Sequence, residues 1–438
     1  MSKLVELQIK DFRAIKQADI QVNGITVVAG INGCGKSTLS KLLYYAFRHA
    51  NSFEELVLQY TNSQLRPYIN VLEQLSNLYY HYILIDEHRN LRRINNRRLI
   101  FRSYFLSNFN DTSLFIDEIQ EFCNRVLDLE SNMNLKGKSI VSVRLNMIFR
   151  STLKNNDSKL PLKQKIEELV REIAKLVHEA ERMIVERPYR ILRESMEASF
   201  NSSIPKNTVL QEYGDSILGD KVSNVPLPHY IKKVAYIDTP MVIGMETYAG
   251  QPSYWEELNN LIKTPPKRGY KRSINKYIKE EILKGEATFD SDVFSGGFKY
   301  KTLSGEEFDL LECATGIKSF SLLQMLLKNL FLDESTLLII DEPEAHLHPQ
   351  WIVEYARLIV LLHKRLGVKF FIASHSTDMV SAIRYISEKE KCLSSVSYYV
   401  AEEDSNKKNR YIFNYLGHDI EPIFESFNKS FKVLESYV

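Results

Sequence analysis

The sequence predicts an α/β fold that is interrupted by a mainly helical insertion, and three observations support this. A short β-branched strand over residues 25–29 is followed by a glycine-rich loop and an amphipathic helix. Helical patterns then dominate residues 61–230, where strands are scarce. From residue 231 strands and helices alternate again. Since parallel sheets are built from such alternation, we expect residues 1–60 and 231–438 to form two lobes of one sheet domain.

Composition narrows the class of protein. The 438 residues carry 57 basic and 55 acidic side chains, so the formal net charge of +2 at pH 7 indicates no particular partner. No apolar run approaches the ~18 residues that a membrane-spanning helix needs. The first residues also lack the hydrophobic core of a signal peptide. Four cysteines lie far apart without metal-ligand spacing. We therefore expect a reduced, cytoplasmic protein with no membrane partner.

Within the insertion, residues 161–186 repeat apolar side chains at seven-residue intervals along two seams. The side chains of these seams are Leu162, Leu169, Leu176, Met183, Ile166, Ile173 and Ala180. Such a short run favours a helix that packs on its own domain. The alternative is an arm that forms a dimer or binds a partner.

Residues 30–37, Gly-Ile-Asn-Gly-Cys-Gly-Lys-Ser, fit the pattern G-x-x-x-x-G-K-[ST] of a phosphate-binding loop between a strand and a helix. Glycines let backbone N–H groups face phosphates, and the helix N-terminus adds a positive dipole. The motif predicts an ATP site in which Lys36 reaches the β- and γ-phosphates and the Ser37 hydroxyl ligates Mg²⁺. The loop residues expected to contact the nucleotide are Gly30, Asn32, Gly33, Gly35, Lys36, Ser37 and Thr38.

A second buried strand, over residues 336–340, ends in two carboxylates, Asp341 and Glu342. The carboxyl ends of parallel strands meet at one sheet edge, which places these carboxylates beside the phosphate loop. We expect Asp341 to hold Mg²⁺ through water. We expect Glu342 to orient and deprotonate the attacking water.

Together these segments resemble the ABC-type ATPase heads of the RecF, SMC and OLD group, which are P-loop ATPases. The resemblance rests on residues 32–37, on Asp-Glu-Pro-Glu-Ala-His-Leu-His-Pro over residues 341–349, and on Ile-x-x-Phe-Arg over residues 9–13. It implies that Arg13 contacts the nucleotide and that His375, at the end of a later strand, senses the γ-phosphate. It also implies a homodimer, or a higher homo-oligomer, that closes around ATP.

The resemblance further implies a signature loop, for which two segments compete. Residues 303–307, Leu-Ser-Gly-Glu-Glu, match the family's serine-glycine pattern better, but they lie between two alternating strands, where Ser-Gly favours a hairpin turn. Residues 314–318 directly precede a predicted helix, whose N-terminus offers N–H groups to a phosphate. We therefore assign the signature to Thr315 and Gly316.

Two basic runs are consistent with a nucleic-acid partner, and equally with a solvated face or an acidic protein partner. The first run contains Arg92, Arg93, Arg97 and Arg98. The second extends from Lys263 to Lys279 with tyrosines interleaved.

Within this group, the chain most resembles the nuclease-free ATPase subunits of bacterial defence systems, such as the Septu, PARIS and retron-associated ATPases. The resemblance implies an ATP-hydrolysing switch that controls a separate effector, a nuclease or a toxin, in anti-phage defence or DNA repair. The alternative is a scaffold that assembles with ATP, hydrolyses it slowly and holds a toxin inactive. The long insertion disfavours a transporter ATPase subunit.

Overall fold

The computed structural model describes residues 4–87, 112–132, 144, 147–149, 160–244, 253–292, 296–345 and 347–427. The chain forms two compact units, one of residues 1–51 and 192–438 and the other of residues 52–191. The sequence-based insertion, 61–230, has different boundaries. They differ because residues 209–218 form two strands that belong to the main sheet.

Thirteen strands are described, all in the first unit. In chain order they are β1 (Val5–Phe12), β2 (Ile15–Gln21), β3 (Ile25–Ala29), β4 (Val209–Glu212), β5 (Asp215–Leu218), β6 (Lys233–Ile237), β7 (Gly285–Asp290), β8 (Gly297–Thr302), β9 (Glu307–Asp309), β10 (Thr336–Asp341), β11 (Lys369–Ser374), β12 (Val396–Glu403) and β13 (Tyr411–Gly417). Ten of them form one sheet in the order β5-β4-β1-β2-β13-β12-β3-β11-β10-β6, and β7, β8 and β9 form a separate antiparallel sheet.

The described helices flank the strands or lie in the second unit. In chain order they are α1 (Lys36–Asn51), α2 (Phe53–Glu87), α3 (Thr112–Asn132), α4 (Leu162–Glu186), α5 (Tyr189–Phe200), α6 (Ser253–Lys263), α7 (Arg272–Tyr277), α8 (Thr315–Lys328), α9 (Pro349–Leu366) and α10 (Thr377–Lys389). Searched over the described residues, no helix combines the length and the apolar character that crossing a membrane requires. The mixed α/β architecture predicted from the sequence is confirmed.

The centre of the large sheet is parallel and buried on both faces. β12, β3, β11, β10 and β6 all run in the same direction. Every residue of β3, β10 and β11 is buried, as expected for strands covered by helices on both sides. α1 packs on β6, β10 and β11, while α8, α9 and α10 share a core with alternate residues of the same strands.

The heptad stripe of the insertion lies on α4, and most of its side chains are buried within their own unit. Ile166, Leu169, Ile173 and Val177 belong to a hydrophobic core that also contains side chains of α2 and α3. The stripe therefore forms the core of the unit that contains it, in agreement with the first of the two interpretations of the sequence.

A buried lysine begins β11, at the edge of the sheet opposite its carboxyl end. Lys369 is 2% exposed. Its ammonium lies 3.5 Å from the ring centroid of Tyr230 and donates to the carbonyl oxygen of Glu334. Burial lowers the pKa of Lys369 to about 8, although the carboxylates of Glu334 and Asp333 raise it. The protonated side chain therefore costs folding free energy at neutral pH.

We predict that Lys369 makes the protein more stable as pH rises from about 8 towards 10.5, the ordinary pKa of lysine. In this window the unfolded lysine still holds a proton that the folded one has released, so raising the pH favours the folded state. The full effect is on the order of 3 kcal/mol. Denaturant unfolding of wild type and Lys369→Met at several pH values checks this, since titrating groups that do not interact with Lys369 cancel in the difference. A difference in unfolding free energy that does not change with pH would contradict the prediction.

Candidate functional site

Four parallel strands bring the chemically active residues to one edge of the sheet. β3 leads into the glycine loop at Gly30, β10 ends at Asp341, β11 is followed by His375, and β6 is followed by Asp238. In the register of these strands, the last residue of β3 lies opposite the last residue of β11, and Asp341 lies opposite Ala373. The phosphate loop, the carboxylates and the histidine predicted from the sequence therefore occupy neighbouring strand ends.

The phosphate loop requires glycine for its backbone conformation and for its packing. Gly33 and Gly35 have φ angles of 81° and 108°, in the left-handed region that favours glycine. A Cβ on Gly35 would lie 2.7 Å from Cγ1 of Ile15, and one on Gly30 would lie 2.7 Å from Cβ of Ala401. The loop thus lies tightly against β2 and β12.

Lys36 begins α1 and is buried, with its ammonium turned back onto the loop. It donates to the carbonyl oxygens of Gly30, over 2.8 Å, and of Ile31, over 3.0 Å. The first turn of α1 contains no acidic residue, so the positive end of the helix dipole stays available to an anion. The bent loop, the Lys36 ammonium and the N-terminus of α1 together form a site that fits phosphate groups.

The other predicted nucleotide contacts differ in exposure. Asn32 and Ser37 are exposed, whereas Thr38 is buried. Arg13 lies in the turn between β1 and β2, where its guanidinium donates to the carbonyl oxygen of Phe200 over 2.7 Å and lies over that residue's ring. In this structure the arginine is therefore engaged within its own chain.

Asp341 is buried, and a hydroxyl group holds each of its carboxylate oxygens. Ser40 donates to Oδ1 over 2.5 Å, and Tyr236 donates to Oδ2 over 2.7 Å. Burial raises the pKa of Asp341, while hydrogen bonds from Ser40, Tyr236 and Ser37 lower it. A fixed carboxylate beside the hydroxyl of Ser37 supplies the oxygen ligands that Mg²⁺ prefers, so these two residues fit the ion.

Neither Ser40 nor Tyr236 was predicted from the sequence as part of the site. Ser40 lies one helical turn beyond Lys36, so its side chain was predictable on the same face of α1. The role of Tyr236 follows from β6 pairing with β10, where Tyr236 lies opposite Ile339. That strand order is a tertiary property, and no local pattern in the sequence specifies it.

Glu342 and His375 meet just beyond the ends of β10 and β11. Nδ1 of His375 lies 3.5 Å from Oε1 of Glu342 and 3.2 Å from Oε1 of Glu344. Glu342 adopts a left-handed φ of 50°, and its backbone N–H donates to the carbonyl oxygen of Ala373 over 2.7 Å. Its side chain is 43% exposed, so this carboxylate is accessible to a water molecule at the edge of the sheet.

The two candidate signature segments differ as the sequence predicted. Residues 303–306 form the turn between β8 and β9, where Gly305 has a φ of 98°. Thr315 is instead the first residue of α8, and Ala314 before it makes no side-chain cap. The first N–H groups of α8 therefore lack a capping side chain and are suited to an anion.

Gly316 is buried, and its missing Cβ has a packing role. A Cβ at this position would lie 2.3 Å from the ring of Trp351, at the start of α9. Glycine is thus required here by contact with Trp351 of the same chain.

Of the two basic runs, the first falls within residues 88–111, outside the described residues. In the second run several cations are exposed on the loop between α6 and α7 and at the start of α7. They are Lys267, Arg268, Lys271 and Arg272.

Comparison with known proteins gives a family and a set of similar structures. The family described as AAA ATPase domain matches residues 2–380. The chain is similar to the Smc head domain of Pyrococcus furiosus, at 13% identity and a TM-score of 0.33, over 99% of this chain and 98% of that one. It is also similar to the SMC head domain of Thermotoga maritima, at 13% identity and a TM-score of 0.26, over 37% and 51% of the two chains. No curated protein matches the chain.

We predict that Tyr236→Phe lowers the free energy of unfolding by about 1–3 kcal/mol, because it leaves one oxygen of the buried Asp341 without its donor. Tyr398→Phe is the matched control. Its hydroxyl is also buried in the large sheet, but it has no hydrogen-bond partner among the described residues. We expect this control to be neutral or stabilising. Equal losses for both variants in urea unfolding would show that Asp341 does not depend on Tyr236.

Proposed function

Since the chain belongs to the AAA ATPase domain family, we propose that it binds ATP with Mg²⁺ at the carboxyl edge of the large sheet. There it hydrolyses the bond between the β- and γ-phosphates. One observation carries this proposal. Four residues lie at a single edge of the sheet, next to the ends of its strands: Lys36, Asp341, Glu342 and His375. Nδ1 of His375 lies 3.5 Å from Oε1 of Glu342.

The binding residues act on the phosphates from one side. Lys36 exchanges its two carbonyl partners for oxygens of the β- and γ-phosphates, since an ammonium–phosphate contact is charge-assisted. Ser37 and Asp341 hold Mg²⁺, which supplies positive charge to the phosphates when bound. The buried Asp341 keeps its orientation through the hydroxyls of Ser40 and Tyr236.

The catalytic residues act on the attacking water. Glu342 accepts a proton from the water, because its carboxylate is exposed at the edge of the sheet. His375 contacts the γ-phosphate and couples its presence to the position of Glu342, which it faces through Nδ1.

We propose further that two copies of the chain close around ATP as a homodimer. The N-terminus of α8, with Thr315 and Gly316, is suited to the γ-phosphate of ATP bound to a second copy, because its N–H groups have no capping side chain. ATP then joins the two copies, and hydrolysis removes the group that both of them contact. The closing and opening of the dimer thereby act as a switch.

The output of the switch is control of a separate effector, a nuclease or a toxin, in anti-phage defence or DNA repair. Two resemblances support this assignment: that of residues 32–37 and 341–349 to the ABC-type ATPase heads of the RecF, SMC and OLD group, and that of the chain as a whole to nuclease-free defence ATPases. The exposed cations between α6 and α7 are suited to the phosphates of a nucleic acid that triggers the switch.

We predict that Glu342→Gln accumulates as a closed dimer with ATP bound. The amide keeps the shape of the side chain but cannot take the proton of the water, which costs ~10²–10⁴-fold in rate. The measurement is a crosslink between Ile31→Cys in one copy and Ala314→Cys in the other, with the native cysteines replaced. Both positions are exposed.

The expected result is a crosslink yield that rises strongly when ATP is added. Thr315→Glu is the control, because a bulky carboxylate at the start of α8 repels the γ-phosphate and blocks closure while ATP binding stays intact. A crosslink yield that is the same with and without ATP would exclude the proposed dimer.

A further inference from the structure

Glu344 lies just behind the site in the loop that follows β10, and it is almost fully enclosed. Its side chain is 5% exposed. Oε1 accepts from the hydroxyl of Ser374 and from the backbone N–H of His375, each over 2.8 Å. The same oxygen lies 3.2 Å from Nδ1 of His375. Oε2 is buried and has no hydrogen-bond partner among the described residues.

Burying a polar group costs free energy unless it is hydrogen-bonded, so an enclosed carboxyl group needs partners. Ser374 and the backbone N–H of His375 donate to Oε1. The ring of His375 is the further polar group that faces this oxygen, through Nδ1.

From these contacts we propose that Glu344 is a positioning residue, which holds the His375 ring so that Nδ1 faces the carboxylates and Nε2 faces the γ-phosphate. This inference rests on the proposed function, in which His375 contacts that phosphate.

The position of the ring fixes this orientation. Nδ1 lies 3.5 Å from Oε1 of Glu342 and 3.2 Å from Oε1 of Glu344, so Nε2, on the opposite side of the ring, is left for the substrate. Glu342 is 43% exposed, whereas Glu344 is buried. Glu344 is thus the fixed partner of the ring, and Glu342 remains free to act on water.

The test measures kcat and ATP affinity for Glu344→Ala, His375→Ala and the double variant. We expect Glu344→Ala to lower kcat about tenfold or more, because a misplaced catalytic group is costly, with ATP affinity within about twofold of wild type. In the His375→Ala background, Glu344→Ala should lower kcat no further, because residues that act through one another are not additive.

Two further variants separate positioning from a structural role. Ser374→Ala removes one hydrogen bond to Glu344 but leaves the ring contact, so it should cost far less in kcat than Glu344→Ala. Glu344→Gln keeps an acceptor beside Nδ1, so it should restore most of the kcat. If Glu344→Ala does not fold, the same cycle is made with Glu344→Gln, whose smaller loss should also vanish without His375.

Different results would overturn the proposed function and the positioning role of Glu344. A wild-type protein that hydrolyses no ATP, or a His375→Ala variant with wild-type kcat, would overturn the proposed function and this inference with it. A normal kcat for Glu344→Ala would overturn the inference alone. So would losses that multiply in the double variant, or a Ser374→Ala loss as large as that of Glu344→Ala.

Discussion

The parallel register of β3, β11 and β10 is the constraint on which the rest of the site depends. Because the three strands end at the same edge, the phosphate loop, the carboxylate pair and the histidine need no long loops to meet. All residues of these strands are buried, so a one-residue slip would move every side chain to the opposite face and disrupt its packing against the helices there. Hydrophobic packing thus fixes the geometry of the site.

Buried polar groups, held by hydrogen bonds, also fix the geometry of the site. Asp341 and Glu344 are both buried, and each is held by donors from neighbouring elements: Asp341 by Ser40 and Tyr236, and Glu344 by Ser374 and the backbone of His375. Glu342 and His375, in contrast, stay partly exposed. The groups expected to orient are therefore rigid, and those expected to react with substrate are accessible.

Much of this arrangement was predictable, because its signals are local. The glycine loop, the strand that ends in Asp341 and the hairpin turn at residues 303–306 each follow from short patterns, and the structure has them where the sequence placed them. The contacts of Tyr236, Glu344 and Trp351 were not predictable, since they depend on which strands and helices become neighbours. The C-terminal boundary of the second unit, residue 191, was not predictable either, because β4 joins the sheet through long-range pairing with β1.

We expect the loop at residues 30–37 to be the ATP site of this chain. Calorimetric titration of MgATP into wild type and Lys36→Ala tests this, with circular dichroism to show that the variant is folded. The wild type should bind, and the variant should show no measurable binding, because it lacks the ammonium that forms charge-assisted contacts with the phosphates. A folded variant that binds MgATP as tightly as wild type would show that this loop is not the ATP site.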